Sequence, residues 1–359
     1  MSILDSLLPG RAKAPKPKRV NLALQGGGAH GAFTWGVLDY LLSDERLAIE
    51  GISGTSAGAI NAVMLADGLV RGGRAEAQQR LADFWRAASS AGNLPALQRT
   101  VLERLLSFTP LEGTPVQAWI GTLSHYFSPY DVNPLNINPL KELIERFVDF
   151  DKLRAFEDLQ LFISATNVQT GRVHVFPREK ITSDAVMASA CLPSLFRAVE
   201  IDGVPYWDGG YLGNPVIFPF FHTTATEDVL VVQINPLLRR ATPMSSSEIM
   251  NRINEITFNS PLLSEYRAIE FVARLIDQGR LRHGTGPGQF RRINVHRIVL
   301  DRFGTHFDAF SKFSTDYDFF DMLRTSGKRA ARRFLDEHFD DIGLKSTVDL
   351  RAEAQAEWA

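Results

Sequence analysis

The chain has 359 residues, 45% of them hydrophobic, with a formal net charge of -2 and one cysteine. That is enough apolar material for one large core or two modest ones. The near-neutral balance offers no concentrated basic face of the kind a nucleic-acid partner requires, and a single thiol excludes an intramolecular disulfide framework, in keeping with a reducing, cytoplasmic compartment.

No apolar run has the length of a membrane-spanning helix; Asn61 and Asp67 interrupt the best candidate, residues 57–70. Residues 1–20 lack the apolar stretch of a signal peptide. Residues 1–19 instead carry Arg11, Lys13, Lys16, Lys18 and Arg19 among prolines and read as a disordered basic leader. The alternative reading is a peripheral, electrostatic contact with an anionic membrane surface.

Residues 20–25 (VNLALQ) have the pattern of a buried strand. They run into Gly26-Gly27-Gly28-Ala29-His30-Gly31, and residues 32–47 follow as a helix with Trp35, Leu38, Leu41 and Leu42 on one face. Strand, glycine loop and helix make an anion site, because consecutive amides point outward and the helix dipole adds to them. Gly26, Gly28 and Gly31 satisfy G-x-G-x-x-G, so a dinucleotide site is one reading. Glu50 falls near the expected distance for its ribose contact, but it precedes the second apolar run instead of closing it. The other reading is an oxyanion hole formed by the Gly27 and Gly28 amides.

The second strand, residues 49–53, ends in Gly54-Thr55-Ser56-Ala57-Gly58, ahead of the helical run 57–70. In that context G-x-S-x-G forms a nucleophile elbow, a strained turn that thrusts the serine hydroxyl out at the sheet edge. The simpler reading of Ser56 is a helix N-cap. Two successive strand–loop–helix units bring glycine amides and a serine hydroxyl to the same edge of a parallel sheet. The oxyanion reading uses both motifs, whereas the dinucleotide reading leaves Ser56 idle.

Residues 75–87 and 97–106 are amphipathic. Prolines and aromatics then punctuate a stretch in which residues 90–150 are expected to form a cap over an apolar pocket, ending in a helix at 139–147. Residues 159–168 and 172–176 read as a hairpin turning at Thr170-Gly171, and 184–191 as a small-residue helix containing Cys191, a small buried apolar residue in its simplest reading. Residues 199–201 and 204–207 form a second hairpin through Asp202-Gly203, followed by Asp208-Gly209-Gly210, an acid in a tight turn at a strand end. Beyond a strand at 229–234 lie helices at 248–258 and 261–279, a strand at 293–300, and a helix at 318–339. The last carries Arg324, Lys328, Arg329, Arg332 and Arg333 as a solvated basic face. The expected organisation is a leader (1–19), a catalytic domain (20–236), a C-terminal helical extension (237–343) and a tail (344–359).

A serine nucleophile needs a base. His283, His296, His306 and His338 are the late histidines a triad would draw on, and His306, after Gly304-Thr305, is the best placed by sequence. A Ser56–Asp208 dyad needs no histidine, since the carboxylate takes the serine proton directly.

The glycine loop, the serine elbow and Asp208-Gly209-Gly210, in this order and spacing, resemble the patatin-like phospholipase family. Ala188-Ser189 through Pro193 to Phe196 adds to the likeness, which covers roughly residues 20–234. The resemblance implies a three-layer α/β/α sandwich with a mostly parallel central sheet. It implies hydrolysis of acyl esters in lipids, with no metal and no cofactor. Ser56 would be the nucleophile, Asp208 the base, and Gly27 and Gly28 the principal oxyanion donors, with Gly26 a further one. His30, Gly31, Gly54, Gly58, Gly209 and Gly210 would be supporting positions. Many members carry arginine or lysine where this chain has His30, which need not be charged near pH 7. A Ser-Asp-His triad and a non-catalytic nucleotide- or lipid-binding module stand as alternatives.

Overall fold

The alternating apolar runs build one sheet. In the computed structural model, which describes residues 16–89, 128–132, 138–193, 195–239, 241–300 and 314–355, the first strand, β1, is Lys18–Leu24. It is followed by α1 (Gly31–Ser43), β2 (Leu47–Gly54) and α2 (Ala57–Ala88). Then come α3 (Pro139–Phe147), α4 (Phe150–Ala155), β3 (Gln160–Asn167), β4 (Arg172–Pro177), α5 (Ser183–Ser189), β5 (Val199–Ile201), β6 (Val204–Asp208) and β7 (Asp228–Gln233). The C-terminal third adds α6 (Ser246–Asp277), β8 (Asn294–Val299), α7 (Tyr317–His338) and α8 (Leu350–Gln355).

The sheet order is β8-β7-β1-β2-β3-β6-β5, with β4 also on β3. β8, β7, β1, β2 and β3 are parallel; β4, β6 and β5 pair antiparallel. Helices cover both faces, and the period-two alternation of each strand divides the core accordingly. Leu22, Leu24, Ile52, Leu230 and Val232 pack with α1, α2, α5 and α7. Ala23, Val229, Val231 and Val295 pack on the other face with Leu262, Tyr266 and Ile269 of α6. The result is the expected α/β/α sandwich with a mostly parallel sheet. No described helix is long and apolar enough to cross a membrane.

Several boundaries differ from the sequence reading, each for a tertiary reason. β1 begins at Lys18, inside the stretch read as leader, because the Lys18 ammonium donates to the carbonyls of Phe339, Asp340 and Ile342 at 2.8–3.0 Å. The helices predicted at 248–258 and 261–279 are one helix running through Pro261. A continuous buried face of Phe258, Leu262, Tyr266 and Ile269 outweighs the backbone hydrogen bond that proline removes. The strand expected at 293–300 is β8, and it joins the central sheet, so the C-terminal third is more than a helical extension. Part of the predicted tail is docked: Thr347 and Val348 donate backbone hydrogen bonds to the Val295 carbonyl. The basic face of α7 is divided. Arg324 and Lys328 clamp the buried Asp39 of α1 at 2.8 and 2.7 Å, while Arg329, Arg332 and Arg333 stay exposed. Most of the expected cap, residues 90–127, lies outside the described residues.

Candidate active site

Strand β3 assembles the site. β4 takes one of its edges over Phe162–Asn167. β2 and β6 share the other and run toward each other along it. β2 ends at Gly54 opposite Ile163, and β6 ends at Asp208 opposite Ala165. The ends of two strands that are about 150 residues apart in sequence therefore face each other across a gap of one residue on β3.

At the end of β2 the chain turns sharply into α2. Ser56 sits in the turn with φ 53° and ψ −121°, a left-handed conformation that costs a side chain about 1–3 kcal/mol. Close packing holds it there. A Cβ on Gly58 would lie 2.2 Å from the Leu24 carbonyl oxygen, and one on Gly26 would lie 2.8 Å from the Ser56 Cβ. The Ser56 amide donates to Ser189 Oγ at 2.8 Å, and the hydroxyls of Thr55 and Ser164 lie 2.6 and 2.7 Å from the Gly213 carbonyl oxygen. Although Ser56 stands at the helix N-cap position, its side chain makes no capping hydrogen bond. The simple N-cap reading therefore does not describe it, and the hydroxyl is left for the cavity.

Asp208 is fully buried. Its amide donates to the Cys191 carbonyl at 2.7 Å, and its Oδ1 accepts the Gly210 amide at 2.7 Å. Gly209 follows it and accepts the Gly213 amide through its carbonyl. Two neighbours register this carboxylate. Burial first, and then the Asp208 charge, push the Cys191 thiol and the Tyr211 phenol each up to about 12. Cys191 is thus the inert buried thiol expected, its Sγ–H donating to the Arg197 carbonyl.

The glycine loop is set by side-chain amides that sequence reasoning missed. Gln25 Oε1 accepts the amides of Ile234 and Asn235 at 2.9 Å, and Gln25 Nε2 donates to Asn259 of α6 at 3.0 Å. Asn235 Nδ2 donates to the Gly26 carbonyl, and Asn214 Oδ1 accepts the Gly26 amide at 2.7 Å. This corrects one expectation: the Gly26 N–H is committed to holding the loop, so Gly26 is not available as an oxyanion donor. Gly27 and Gly28 line the cavity instead, and among the described residues neither amide is engaged in a hydrogen bond. Gly31 opens α1, and its carbonyl accepts Asn61 Nδ2. The His30 ring is buried, 6.2 Å from that of Phe319, and does not line the cavity.

A cavity of about 260 Å³ brings these elements together. Gly27, Gly28, Ser56, Asp208 and Tyr211 are among its lining residues; Ile60, Trp85, Leu143, Leu192, Phe196 and Phe320 are among its apolar walls. Ala190, Leu192, Leu195 and Phe196 line it as well, and α6 and α7 of the C-terminal third contribute Asn254, Phe258 and Phe320. The only sequence cue to Ser189 was its place in the Ala188–Phe196 stretch. Asn214, Asn235 and Asn259 had none, since isolated asparagines carry no periodic or spacing signal.

Among the described residues no histidine lines this cavity. His296 is buried in β8, with its ring nitrogens 3.0 Å from Asp228 and 3.2 Å from Thr347. His283 pairs with Glu227, and His338 with Asp341. His306 lies outside the described residues. Glu50, the ribose candidate of the dinucleotide reading, binds the backbone amides of Ala225 and Thr226. No cluster of His, Cys, Asp and Glu among the described residues could hold a metal ion.

A family model described as Patatin-like phospholipase matches residues 22–221. No curated protein matches the chain. Among solved structures the chain is similar to VipD from Legionella pneumophila, at 13% identity and a TM-score of 0.38, over 93% of this chain and 73% of that one. It is also similar to the type III effector protein ExoU, at 16% identity and a TM-score of 0.35, over 90% of this chain and 54% of that one. A third similar structure is the ExoU-SpcU complex from the type III secretion system of Pseudomonas aeruginosa, at 17% identity and a TM-score of 0.30, over 95% of this chain and 75% of that one.

Proposed function

Because the chain belongs to the patatin-like phospholipase family, we propose that it is a carboxylic-ester hydrolase that cleaves lipid acyl esters through a Ser56–Asp208 dyad. The observation that supports this most directly is the shared cavity. Ser56, Asp208, Gly27 and Gly28 line one space whose other walls are mostly apolar and suit an acyl chain.

In this reading Ser56 Oγ attacks the ester carbonyl carbon as the Asp208 carboxylate takes its proton. The carbonyl π pair moves onto oxygen, and the Gly27 and Gly28 amides hold the oxyanion beside the N-terminus of α1. Collapse breaks the ester C–O bond, and the leaving alcohol takes the proton from Asp208. Water, deprotonated by the same carboxylate, then attacks the acyl-serine and releases the fatty acid, with the proton returned to Ser56. Preorganisation is the chain's contribution: the strain at Ser56 and the amide network around Gly26 set the geometry before substrate arrives.

Fluorophosphonate labelling with the modified residue mapped, followed by a lipid panel on the same preparation, tests the proposal. The expected result is a single adduct on Ser56, absent in Ser56→Ala, together with ester hydrolysis lost in both Ser56→Ala and Asp208→Asn. Full turnover by Ser56→Ala would refute it.

A further inference from the structure

Helix α6 is apolar on two opposite faces. One face, Phe258, Leu262, Tyr266 and Ile269, is buried in the fold. The other carries Ile249, Ile253 and Ile256 at three-and-four spacing, 44, 49 and 54% exposed. Met250 widens this stripe, and the loop leading into the helix adds the exposed side chains of Leu238 and Met244. The exposed stripe lies on turns that the buried face does not reach, and a contiguous exposed apolar patch of this kind marks an interaction surface.

Two further observations say what covers it. First, the same turns of α6 supply Asn254 and Phe258 to the wall of the Ser56 cavity, so whatever lies on the patch lies against a helix that also walls that cavity. Second, the charged side chains described on and beside the stripe are paired or capped. Arg239 and Arg252 both pair with Glu255, at 2.6 and 3.3 Å, and Glu248 is held in the capping box with Ser245. Branched and thioether side chains without net charge complement the uncharged acyl layer of a bilayer.

We propose that the N-terminal half of α6, together with Leu238 and Met244 ahead of it, docks the protein on a zwitterionic lipid surface, so that the ester passes from the bilayer into the cavity. The inference rests on the lipid acyl hydrolase reading above and adds to it the surface from which substrate is drawn.

The test uses the full chain and phosphatidylcholine vesicles. In a Ser56→Ala background, which cannot consume the vesicles, co-sedimentation is expected. Adding Ile249→Ser, Ile253→Ser and Ile256→Ser is expected to lower the vesicle-bound fraction at least tenfold. In the active chain the same triple substitution is expected to slow hydrolysis of vesicle phosphatidylcholine at least tenfold. Hydrolysis of monomeric p-nitrophenyl butyrate should stay within twofold, which also shows that the variant is folded. Unchanged sedimentation overturns the inference, as does an equal loss on both substrates. A wild-type dimer in light scattering that the triple variant dissolves also overturns it, because a second copy then covers the face. A gain-of-signal variant makes the result independent of lost function. Cys191 is buried, so Ile253→Cys can be labelled selectively with a polarity-sensitive fluorophore. Its emission should shift to the blue on adding vesicles, and no shift overturns the inference. A wild type that hydrolyses neither ester overturns the catalytic reading alone, and sedimentation still decides the surface.

Discussion

The two strand ends that meet on β3 hold their side chains by different means. Ser56 depends on backbone strain, with φ at 53° and packing so close that its turn tolerates no side chain at Gly58. Asp208 has ordinary backbone dihedrals and is held by hydrogen bonds, one from its own amide to Cys191 and one to its Oδ1 from Gly210. A nucleophile that must project from the sheet edge needs a conformation its sequence would not choose, and neighbouring backbone has to enforce it. A proton acceptor needs only burial and orientation, which a short turn supplies. Added volume meets backbone on both sides, at Gly58 and at Gly209, where a Cβ would lie 2.3 Å from the Ser164 carbonyl oxygen. The contrast in volume is therefore between Gly58 and Gly210, and the aspartate side should also be sensitive to lost hydrogen bonding.

Substitution at the two functional groups sharpens that contrast most. Under the proposed dyad, Ser56→Ala and Asp208→Asn should each lower kcat about 10⁴-fold or more, and the double variant should lose little beyond either single one. Their stabilities should hardly change, because an asparagine Oδ1 still accepts the Gly210 amide; matched thermal melts check this. Additive losses in kcat would show that the two do not act as a unit.

Next in size is added volume. Gly58→Ala drives a methyl against the Leu24 carbonyl and should cost about 3 kcal/mol. Gly210→Ala drives one to within 2.2 Å of the Phe258 ring. That ring can turn, so the cost should be about 1 kcal/mol. Urea midpoints compare the two, and a larger loss at Gly210 would reverse the contrast.

Ser189→Ala leaves the buried Ser56 amide without its acceptor and should cost about 2 kcal/mol. It should also lower kcat with little change in KM, because the hydroxyl positions the elbow and does not contact the acyl chain. Ser189→Thr, which keeps an acceptor, should recover much of the loss.

The smallest effect lies away from the site, where α1 meets α7. Burial alone would raise the Asp39 carboxyl, but hydrogen bonds and charge from Lys328 and Arg324 hold it below its ordinary value of 3.8. A depressed carboxylate adds stability that is complete above the unfolded-state value and is lost as the pH falls through the folded-state value. Asp39→Asn should therefore cost about 1.5 kcal/mol at pH 7. Its deficit relative to wild type should shrink as the pH is taken below about 4. A deficit constant from pH 7 to pH 3 would remove the ion cluster from the account.

Much was legible in the chain because it is a local property. Strand periodicity, the Asp202-Gly203 turn and the helix at residues 139–147 depend on neighbours within a few residues. So do the two glycine motifs, and both lie at strand ends as expected. Three kinds of feature were not legible. The continuity of α6 through Pro261 reflects packing of both its halves on one sheet face. The division of the α7 basic face reflects a single buried carboxylate on α1, nearly 300 residues earlier in the chain. The commitment of the Gly26 amide reflects Asn214, which no motif marks.

By itself, then, the sequence determined most of the elements and the identity of the chemical groups at the strand ends, since these follow from side-chain period and turn stereochemistry, while the sandwich class came with the family resemblance that its motifs carry. Only the tertiary structure decided that β2 and β6 approach each other along one edge of β3. That juxtaposition puts Ser56 and Asp208 on one cavity and leaves the described histidines outside it. Strand pairing between distant segments is set by register and by the burial of two sheet faces together, and no local stretch of sequence contains that information.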